Sequence, residues 1–107
     1  MNWSARRPPV HGMVWWWIMA EHEMIIPNKL GLHARASAKL VQLASRFKAG
    51  VFIQCRGREV NAKSIMGLML LAAPKGTAIK LRTDGEDADE ALAAVVNLIE
   101  RKFDEGE

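Results

Sequence analysis

A histidine and an arginine two positions apart lie where the sequence predicts that a loop turns into a helix. Residues 31–36 read Gly-Leu-His-Ala-Arg-Ala, which places His33 at the start of the helix and Arg35 in its first turn. Unpaired backbone N–H groups and the positive end of the helix dipole stabilise an anion there and favour a neutral, nucleophilic imidazole. A phosphoryl group on His33 would be stabilised, and Arg35 would add a charge-assisted contact to its oxygens. The same spacing also occurs where a capping histidine stands beside a solvated arginine.

A second candidate site is Ser64, directly before the apolar segment 65–71. Serine is a good N-cap residue, and the segment holds too few β-branched residues for a strand, so a short helix is predicted. We expect Leu68 and Leu71 on the face that reaches the core. The remaining apolar side chains would be partly exposed: Ile65, Met66, Met69 and Leu70. Such a patch is typical of an interface, and methionine adapts to several partners, although some of these four side chains would alternatively complete a small core.

Four segments alternate in the manner of β-strands: 22–26, 51–55, 58–61 and 77–83. Pro27 and Asn28 end the first segment, because proline donates no hydrogen bond to a ladder and asparagine favours turns. Arg56 and Gly57 form a two-residue turn between the second and third segments, which are therefore expected to be antiparallel. The fourth segment alternates strictly, with Leu81 on its apolar face.

Three segments follow the helical period. The first has the apolar stripe Ala36, Leu40, Leu43, Ala44 and Phe47, and Gly50 closes its region. The second is the short helix after Ser64. The third follows the turn Asp84-Gly85, begins with acids and ends near Arg101 and Lys102, which suits the helix dipole. Its apolar stripe is Ala88, Leu92, Val95, Ile99 and Phe103. The order β-α-β-β-α-β-α predicts an α+β fold with one layer of helices on one face of a mostly antiparallel sheet.

The composition suits one small globular domain. The chain has 107 residues, of which 50% are hydrophobic and 25% are charged, so a packed core can form but two independent domains do not fit. The only cysteine is Cys55, which excludes an internal disulfide and leaves no ligand spacing for a zinc site. We expect a cytoplasmic protein with no metal and no cofactor.

The positive charge and the tryptophans are concentrated in residues 1–18. This segment holds all four Trp, together with Arg6 and Arg7 and no acidic residue, whereas residues 19–107 carry 13 basic and 12 acidic side chains. The larger part has no basic stripe interleaved with aromatic residues. Nucleic acid is therefore not an expected partner.

We expect residues 1–18 to be a disordered leader or the product of an artefactual start, ahead of a functional domain at residues 19–107. The apolar stretch 13–20 is too short to span a membrane, and the tandem Pro8-Pro9 interrupts the approach to it. Membrane association is therefore not expected. The alternative is that the tryptophans at 15–17 anchor the chain to a membrane or a partner.

Two separated motifs resemble one known family. Residues 28–36 read Asn-Lys-Leu-Gly-Leu-His-Ala-Arg-Ala, residues 61–69 read Asn-Ala-Lys-Ser-Ile-Met-Gly-Leu-Met, and residues 75–77 read Lys-Gly-Thr. They closely resemble HPr, the histidine-containing phosphocarrier of the phosphoenolpyruvate-dependent phosphotransferase system, over residues 19–107. The resemblance implies an open-faced β-sandwich of four antiparallel strands and three helices, in the order that the periodicity predicts. Many family members have proline where Ala36 stands.

The resemblance also implies roles for individual residues. His33 matches the histidine that accepts a phosphoryl group from Enzyme I through Nδ1 and passes it to the A domain of a sugar-specific Enzyme II. Arg35 matches the arginine that stabilises the phosphate. Ser64 matches the serine that HPr kinase/phosphorylase modifies in some bacteria. The docking surface of the family would comprise these residues: Ala38, Lys39, Gln42, Ile65, Met66, Met69 and Leu70.

The implied protein is a monomeric carrier and not an enzyme. The chain has no P-loop, no paired-carboxylate metal site and no nucleophile-elbow motif, so the phosphate must arrive from another protein. One alternative is the paralogous carrier of a nitrogen-linked or regulatory phosphotransferase chain, with the same chemistry and a different acceptor. An alternative of another class is a non-phosphorylated α+β module that binds a protein. RNA is a poor candidate ligand, because neither stacking aromatics nor a GXXG loop is present.

Overall fold

The computed structural model describes residues 18–105, in which the helices and strands follow the predicted order. The elements are β1 (Ile18–Ile25), α1 (Ala34–Ala44), β2 (Gly50–Cys55), β3 (Arg58–Asn61), α2 (Ile65–Leu71), β4 (Ala78–Gly85) and α3 (Ala88–Glu100). The hypotheses about residues 1–18 fall outside the described residues, except that Ile18 is the first residue of β1. β1 therefore begins four residues before the predicted strand at 22–26 and one residue before the predicted start of the domain, and it ends one residue earlier than predicted.

The four strands form one antiparallel sheet in the order β1-β4-β2-β3. Because β4 is central, Leu81 pairs with His22 of β1 on one side and with Ile53 of β2 on the other. Strict alternation along β4 turns Ile79, Leu81 and Thr83 toward the core, as the sequence period predicts. The predicted fold, four antiparallel strands with three helices, is confirmed.

The three helices cover one face of the sheet and enclose a single core. Fully buried side chains from helices and strands meet there: Leu40, Ile53, Leu68, Leu81, Ile99 and Phe103. The opposite face carries paired polar groups. Arg82 donates to the carboxylates of Glu59 and Asp84 at 3.1 Å each, and its guanidinium lies 4.3 Å from the centre of the Phe52 ring. An apolar inner face and a charged outer face determine which side the helices cover.

The first helix is shorter than predicted. α1 ends at Ala44, and the chain leaves it through two tighter turns, in which Arg46 N–H donates to Leu43 O at 3.1 Å and Phe47 N–H donates to Ala44 O at 3.2 Å. Phe47 lies outside the helix and is only partly buried, and Gly50 is the first residue of β2 rather than the end of the helical region. Through these tighter turns the apolar residues keep a helix-like spacing beyond the last helical residue. The sequence period therefore overestimates the length of α1.

The last helix also ends earlier than predicted. α3 stops at Glu100, before Arg101 and Lys102, because Lys102 has a φ of +57° and cannot continue a right-handed helix. The predicted stripe is buried in most positions, but Leu92 is only partly buried, and Leu98 is buried although the stripe did not include it.

The connection into α3 begins later than predicted. Asp84 and Gly85, predicted as a turn, extend β4 and pair with β1. Asp87 follows, and its carboxylate accepts the N–H groups of Lys48 at 3.0 Å and Ala49 at 2.8 Å. Desolvation alone would raise the pKa of Asp87, but these hydrogen bonds outweigh it and hold the pKa below its ordinary value. The start of α3 is thereby tied to the loop between α1 and β2.

A left-handed turn brings the end of the described chain back toward α1. Lys102, Phe103 and Asp104 have φ angles of +57°, +55° and +61°, a region that non-glycine residues rarely occupy. Phe103 is fully buried in the core, and Lys39 of α1 donates from Nζ to its carbonyl oxygen at 2.6 Å. Burial of the aromatic ring and the hydrogen bond from Lys39 are the contacts that hold this strained turn in place. The next residue, Glu105, is carried to the start of α1.

Candidate functional site

His33 directly precedes α1 and occupies its N-cap position. Its backbone is extended, with φ −78° and ψ −179°, and its carbonyl oxygen accepts a helical hydrogen bond from Ser37 N–H at 2.8 Å. The imidazole makes no capping hydrogen bond to the first turn. The first-turn N–H groups and the helix dipole therefore remain available to an anion bound near His33.

Gly31 positions the loop that carries His33. Leu32 N–H donates to the carbonyl oxygen of Ala73, just after α2, at 2.9 Å. The approach requires a glycine, since Gly31 has a φ of +65° and a β-carbon there would lie 2.4 Å from the Ala73 oxygen. The side chain of Leu32 is buried. The two residues before His33 are thus fixed to the core and to the end of α2.

The imidazole is held through one of its two nitrogens. His33 Nε2 forms a hydrogen bond with one carboxylate oxygen of Glu105, and the other oxygen accepts from Asn28 Nδ2 at 3.1 Å. The same amide donates to the carbonyl of Gly31 at 2.9 Å, and Asn28 is fully buried. Within residues 18–105, Nδ1 of His33 has no hydrogen-bond partner. The ring is therefore fixed on one side and open on the other.

Sequence reasoning did not connect Asn28 or Glu105 with this site. Asn28 is a turn residue as predicted, because its carbonyl accepts from Gly31 N–H at 3.2 Å, but its side-chain contacts were missed. Glu105 lies 72 positions from His33 in sequence. The available signals were a carboxylate shortly after the last helix and an asparagine before the loop glycine, and both are common at protein surfaces.

Arg35 lies in the first turn of α1, next to His33. Both side chains line an open depression of about 630 Å³, which is also lined by Leu30, Ala34, Lys39, Asp104 and Glu105. Arg35 is exposed and makes no hydrogen bond or ion pair within the described part of the chain, so its guanidinium is available to a ligand. The first turn of α1 contains no acidic residue, and the acids at the depression are Asp104 and Glu105, both from the end of the described chain.

Ser64 caps α2, as predicted, because its Oγ accepts the N–H of Gly67 at 3.1 Å. The predicted division of the helix is also confirmed, with Leu68 and Leu71 buried. The exposed apolar patch consists of Ile65 (40% exposed), Met66 (70%), Met69 (47%) and Leu70 (68%). A patch of this kind is typical of a surface that binds other proteins.

The predicted docking residues of α1 differ in exposure. Gln42 is exposed, whereas Ala38 and Lys39 are partly buried. Lys39 also holds the carbonyl of Phe103, which ties this surface to the chain end. α1 packs against α2, so residues of both helices belong to one side of the molecule.

The other candidate side chains lie away from this arrangement. His22 is exposed on β1, Cys55 is buried with a free thiol, and His11 lies outside the described residues. Within residues 18–105, no cluster of three or more His, Cys, Asp or Glu side chains could hold a metal ion. The same residues include no helix long and apolar enough to cross a membrane.

Fold and site together define a class of protein: a small open-faced sandwich that presents a histidine at a helix N-terminus. The carboxylate of Glu105 bonds Nε2, and Nδ1, which has no partner within residues 18–105, faces the open depression that Arg35 also lines. The first-turn N–H groups and Arg35 lie where they could stabilise the negative charge of a phosphoryl group.

Comparison with known proteins identifies the family. The family model "PTS HPr component phosphorylation site" matches residues 20–101. The chain is 59% identical over 87 residues to "Phosphocarrier protein HPr" of Xylella fastidiosa (strain 9a5c), covering 81% of this chain and 98% of the relative. It is 55% identical over 89 residues to the protein of that name from Neisseria meningitidis serogroup A, covering 83% and 100%. The crystal structure of HPr-C-His from Thermoanaerobacter tengcongensis matches with a TM-score of 0.78 at 46% identity, covering 80% and 97%. The chain belongs to the HPr family of phosphocarrier proteins.

Gly31→Ala should lower the stability of the protein more than Gly57→Ala does. Both glycines have a positive φ, but a β-carbon at Gly57 would meet nothing within 4 Å, whereas one at Gly31 would collide with the carbonyl of Ala73. Backbone strain costs about 1 kcal/mol at either position, and the collision adds roughly 1–3 kcal/mol at Gly31. Chemical denaturation measures both losses. Equal losses would contradict the role assigned to the Gly31 approach.

Proposed function

We propose that this protein is a cytoplasmic, monomeric phosphocarrier in which His33 accepts a phosphoryl group from Enzyme I and passes it to the A domain of an Enzyme II. The observation that carries the proposal is the state of the imidazole at the start of α1. Its Nε2 is bonded to Glu105, while Nδ1 has no partner within residues 18–105. Membership of the HPr family supports the proposal, because a relative at 59% identity is named a phosphocarrier protein.

Acceptance of the phosphoryl group requires no proton transfer at His33. Nδ1 attacks the phosphorus atom in line with the leaving atom of the donor, and its lone pair forms the new P–N bond. The electron pair of the broken bond leaves with the donor. The proton on Nε2 stays in place, so the ring is positively charged while the phosphoryl group is bound. Transfer to the next protein returns the P–N electron pair to Nδ1.

Two positive features would stabilise the bound phosphoryl group. The N-terminus of α1 contributes about 1 kcal/mol, and a charge-assisted hydrogen bond from Arg35 contributes about 1.5–3 kcal/mol. Arg35 is suited to this role because its guanidinium is exposed, lines the same depression as His33 and has no other partner within the described chain. Both features act on the phosphorylated state, in which they oppose the repulsion from the Asp104 and Glu105 carboxylates at the same depression.

We further propose that partners dock on the helix side of the molecule. The surface comprises Ala38, Lys39, Gln42, Ile65, Met66, Met69 and Leu70. A carrier must bind unrelated partners in turn, and flexible methionine side chains can adapt to each of them. The outer face of the sheet is a poorer docking surface, because Arg82 is already paired with Glu59 and Asp84.

Ser64 is proposed as a regulatory position for HPr kinase/phosphorylase. Its hydroxyl accepts one hydrogen bond from Gly67 and keeps its own proton and a lone pair available. A dianionic phosphate on Ser64 would stand directly before Ile65 and Met66. It would oppose apolar docking there through charge and desolvation.

Incubation with phosphoenolpyruvate and Enzyme I should attach an acid-labile phosphoryl group to the wild-type protein. His33→Ala should abolish labelling, whereas His22→Ala, at an exposed position of β1, should be labelled normally. Arg35→Gln should slow acceptance roughly ten- to a hundredfold because one charge-assisted hydrogen bond is lost. Arg46→Gln, an exposed position beyond the end of α1, is the matched control. Rapid-quench measurement of labelled protein gives the rates.

Equal labelling of His33→Ala and wild type, or a wild-type protein that is not labelled, would contradict the proposed function. The onward step identifies the acceptor. Labelled protein is offered in turn to A domains of sugar-specific and nitrogen-linked systems, and the faster transfer shows which class it serves.

Met66→Gln should weaken docking without changing the chemistry at His33. Met66 is 70% exposed, so the fold tolerates the substitution, while the lost apolar contact of about 1–2 kcal/mol raises KM for Enzyme I roughly tenfold. Ile25→Gln is the control, since Ile25 is 58% exposed but lies on β1, outside the docking surface. KM is measured from initial rates of labelling. A similar KM for the two variants would argue against the surface as assigned.

Phosphorylation of Ser64 should act in the same direction as Met66→Gln. Protein treated with ATP and HPr kinase/phosphorylase should incorporate phosphate and show a higher KM for Enzyme I. Ser64→Ala should show neither change. Incorporation that persists in Ser64→Ala would exclude Ser64 as the modified residue.

A further inference from the structure

We propose that Asn28 and Glu105 form a positioning pair that keeps a proton on Nε2 of His33 and thereby directs phosphoryl transfer to Nδ1. The inference rests on the proposed function, because it takes His33 as the acceptor. It is carried by a chain of contacts in which Asn28 Nδ2 bonds one oxygen of Glu105 and His33 Nε2 bonds the other. Neither residue touches the phosphoryl group. Both act through the imidazole.

The amide of Asn28 is fixed by its surroundings. Its side chain is fully buried, and Nδ2 donates both to the carbonyl of Gly31 at 2.9 Å and to Glu105 at 3.1 Å. If the side-chain amide were flipped, Oδ1 would face two oxygen atoms that can only accept hydrogen bonds. The contacts are therefore compatible with only one orientation of the amide. Oδ1 is buried without a partner in the described part of the chain. The two donor contacts of Nδ2, and not a partner of Oδ1, therefore determine the orientation of the amide.

The carboxylate of Glu105 can only accept hydrogen bonds. One oxygen receives the N–H of Asn28, and the other faces Nε2 of His33, so Nε2 must be the protonated ring nitrogen. In the neutral imidazole the lone pair then lies on Nδ1, the nitrogen without a partner. The side chain of Glu105 is 12% exposed. Little water is therefore present to compete for the hydrogen bond.

The same carboxylate balances the charge of the intermediate. When the lone pair of Nδ1 forms the P–N bond, the donor keeps the electron pair of its broken bond and the proton remains on Nε2. The positively charged ring then faces the negative charge of Glu105 across that proton. Loss of the phosphoryl group restores the neutral ring. Glu105 consequently stabilises the charged ring during both acceptance and donation.

The position of Glu105 is set by a defined structure at the end of the described chain. Phe103 is buried in the core, and Lys39 holds its carbonyl at 2.6 Å. Within the left-handed turn, Glu105 N–H donates to Lys102 O at 3.0 Å. These contacts give the carboxylate a fixed approach to His33, which a positioning role requires.

Glu105→Gln tests the proposal with a nearly isosteric change. Its single amide oxygen cannot serve both the Asn28 and the His33 donors. Because the Asn28 amide is fully buried and fixed by Gly31, we expect the oxygen to stay on Asn28 and the NH2 group to face Nε2, so the His33 hydrogen bond is lost. In the unphosphorylated wild type, long-range 1H–15N NMR should show a pyrrole-like Nε2, a pyridine-like Nδ1 and an Nε2–H proton protected from solvent exchange. In Glu105→Gln the protected proton signal should disappear, and acceptance from Enzyme I should slow about tenfold.

Glu100→Gln is the matched control, because it removes an exposed carboxylate from the end of α3. It should keep both the protected proton and the wild-type rate. A protected Nε2–H signal in Glu105→Gln, or a wild-type rate of acceptance in that variant, would overturn the positioning role. The proposed function would still stand if wild-type protein is labelled. If wild-type protein shows the protected proton but is never labelled, the proposed function is overturned. The hydrogen bond between Glu105 and His33 would then have no role in phosphoryl transfer.

Discussion

The imidazole of His33 has two nitrogens, and the site depends on their different surroundings. Nε2 is bonded to Glu105, whereas Nδ1 has no partner within residues 18–105. This difference requires a fixed backbone as well as a fixed ring. The backbone is fixed by Gly31, whose positive φ lets the loop approach the carbonyl of Ala73, and by the buried side chain of Leu32. His33 can then begin α1 without using its side chain as a cap.

The layered fold separates two kinds of surface. The outer face of the sheet pairs its charges internally around Arg82. The helix side carries the exposed apolar side chains of α2 and the open depression at His33. Because α1 packs against α2 and Leu32 is bonded to Ala73 just after α2, His33 and the apolar patch belong to connected parts of the structure. A partner that binds the helix side therefore approaches the side of the molecule on which the reactive nitrogen is proposed to act.

Local periodicity was sufficient to predict most of the fold. The alternation in β4, the turn at Arg56 and Gly57, and the division of α2 into buried and exposed faces are each encoded within a few residues. Helix ends were predicted less well. The tighter turns at Arg46 and Phe47 preserve the apolar spacing, so α1 was expected to be longer than it is.

The placement of His33 and Arg35 was likewise predictable, because it depends on one helix start. The other half of the site was not. Glu105 reaches His33 across 72 positions, through a left-handed turn formed by Lys, Phe and Asp, residue types that give no local signal for such a conformation. Tertiary contacts, chiefly the packing of Phe103 in the core and the hydrogen bond from Lys39 to its carbonyl, determine where the carboxylate lies.

The position of the phosphoryl group on the histidine ring tests the central claim most directly. The protein is labelled on all nitrogens with 15N, phosphorylated by phosphoenolpyruvate and Enzyme I, and examined by NMR through the scalar coupling between 31P and the ring nitrogens. The account predicts that the phosphorus atom is bonded to Nδ1 of His33. A phosphorus atom bonded to Nε2, or to any residue other than His33, would contradict it.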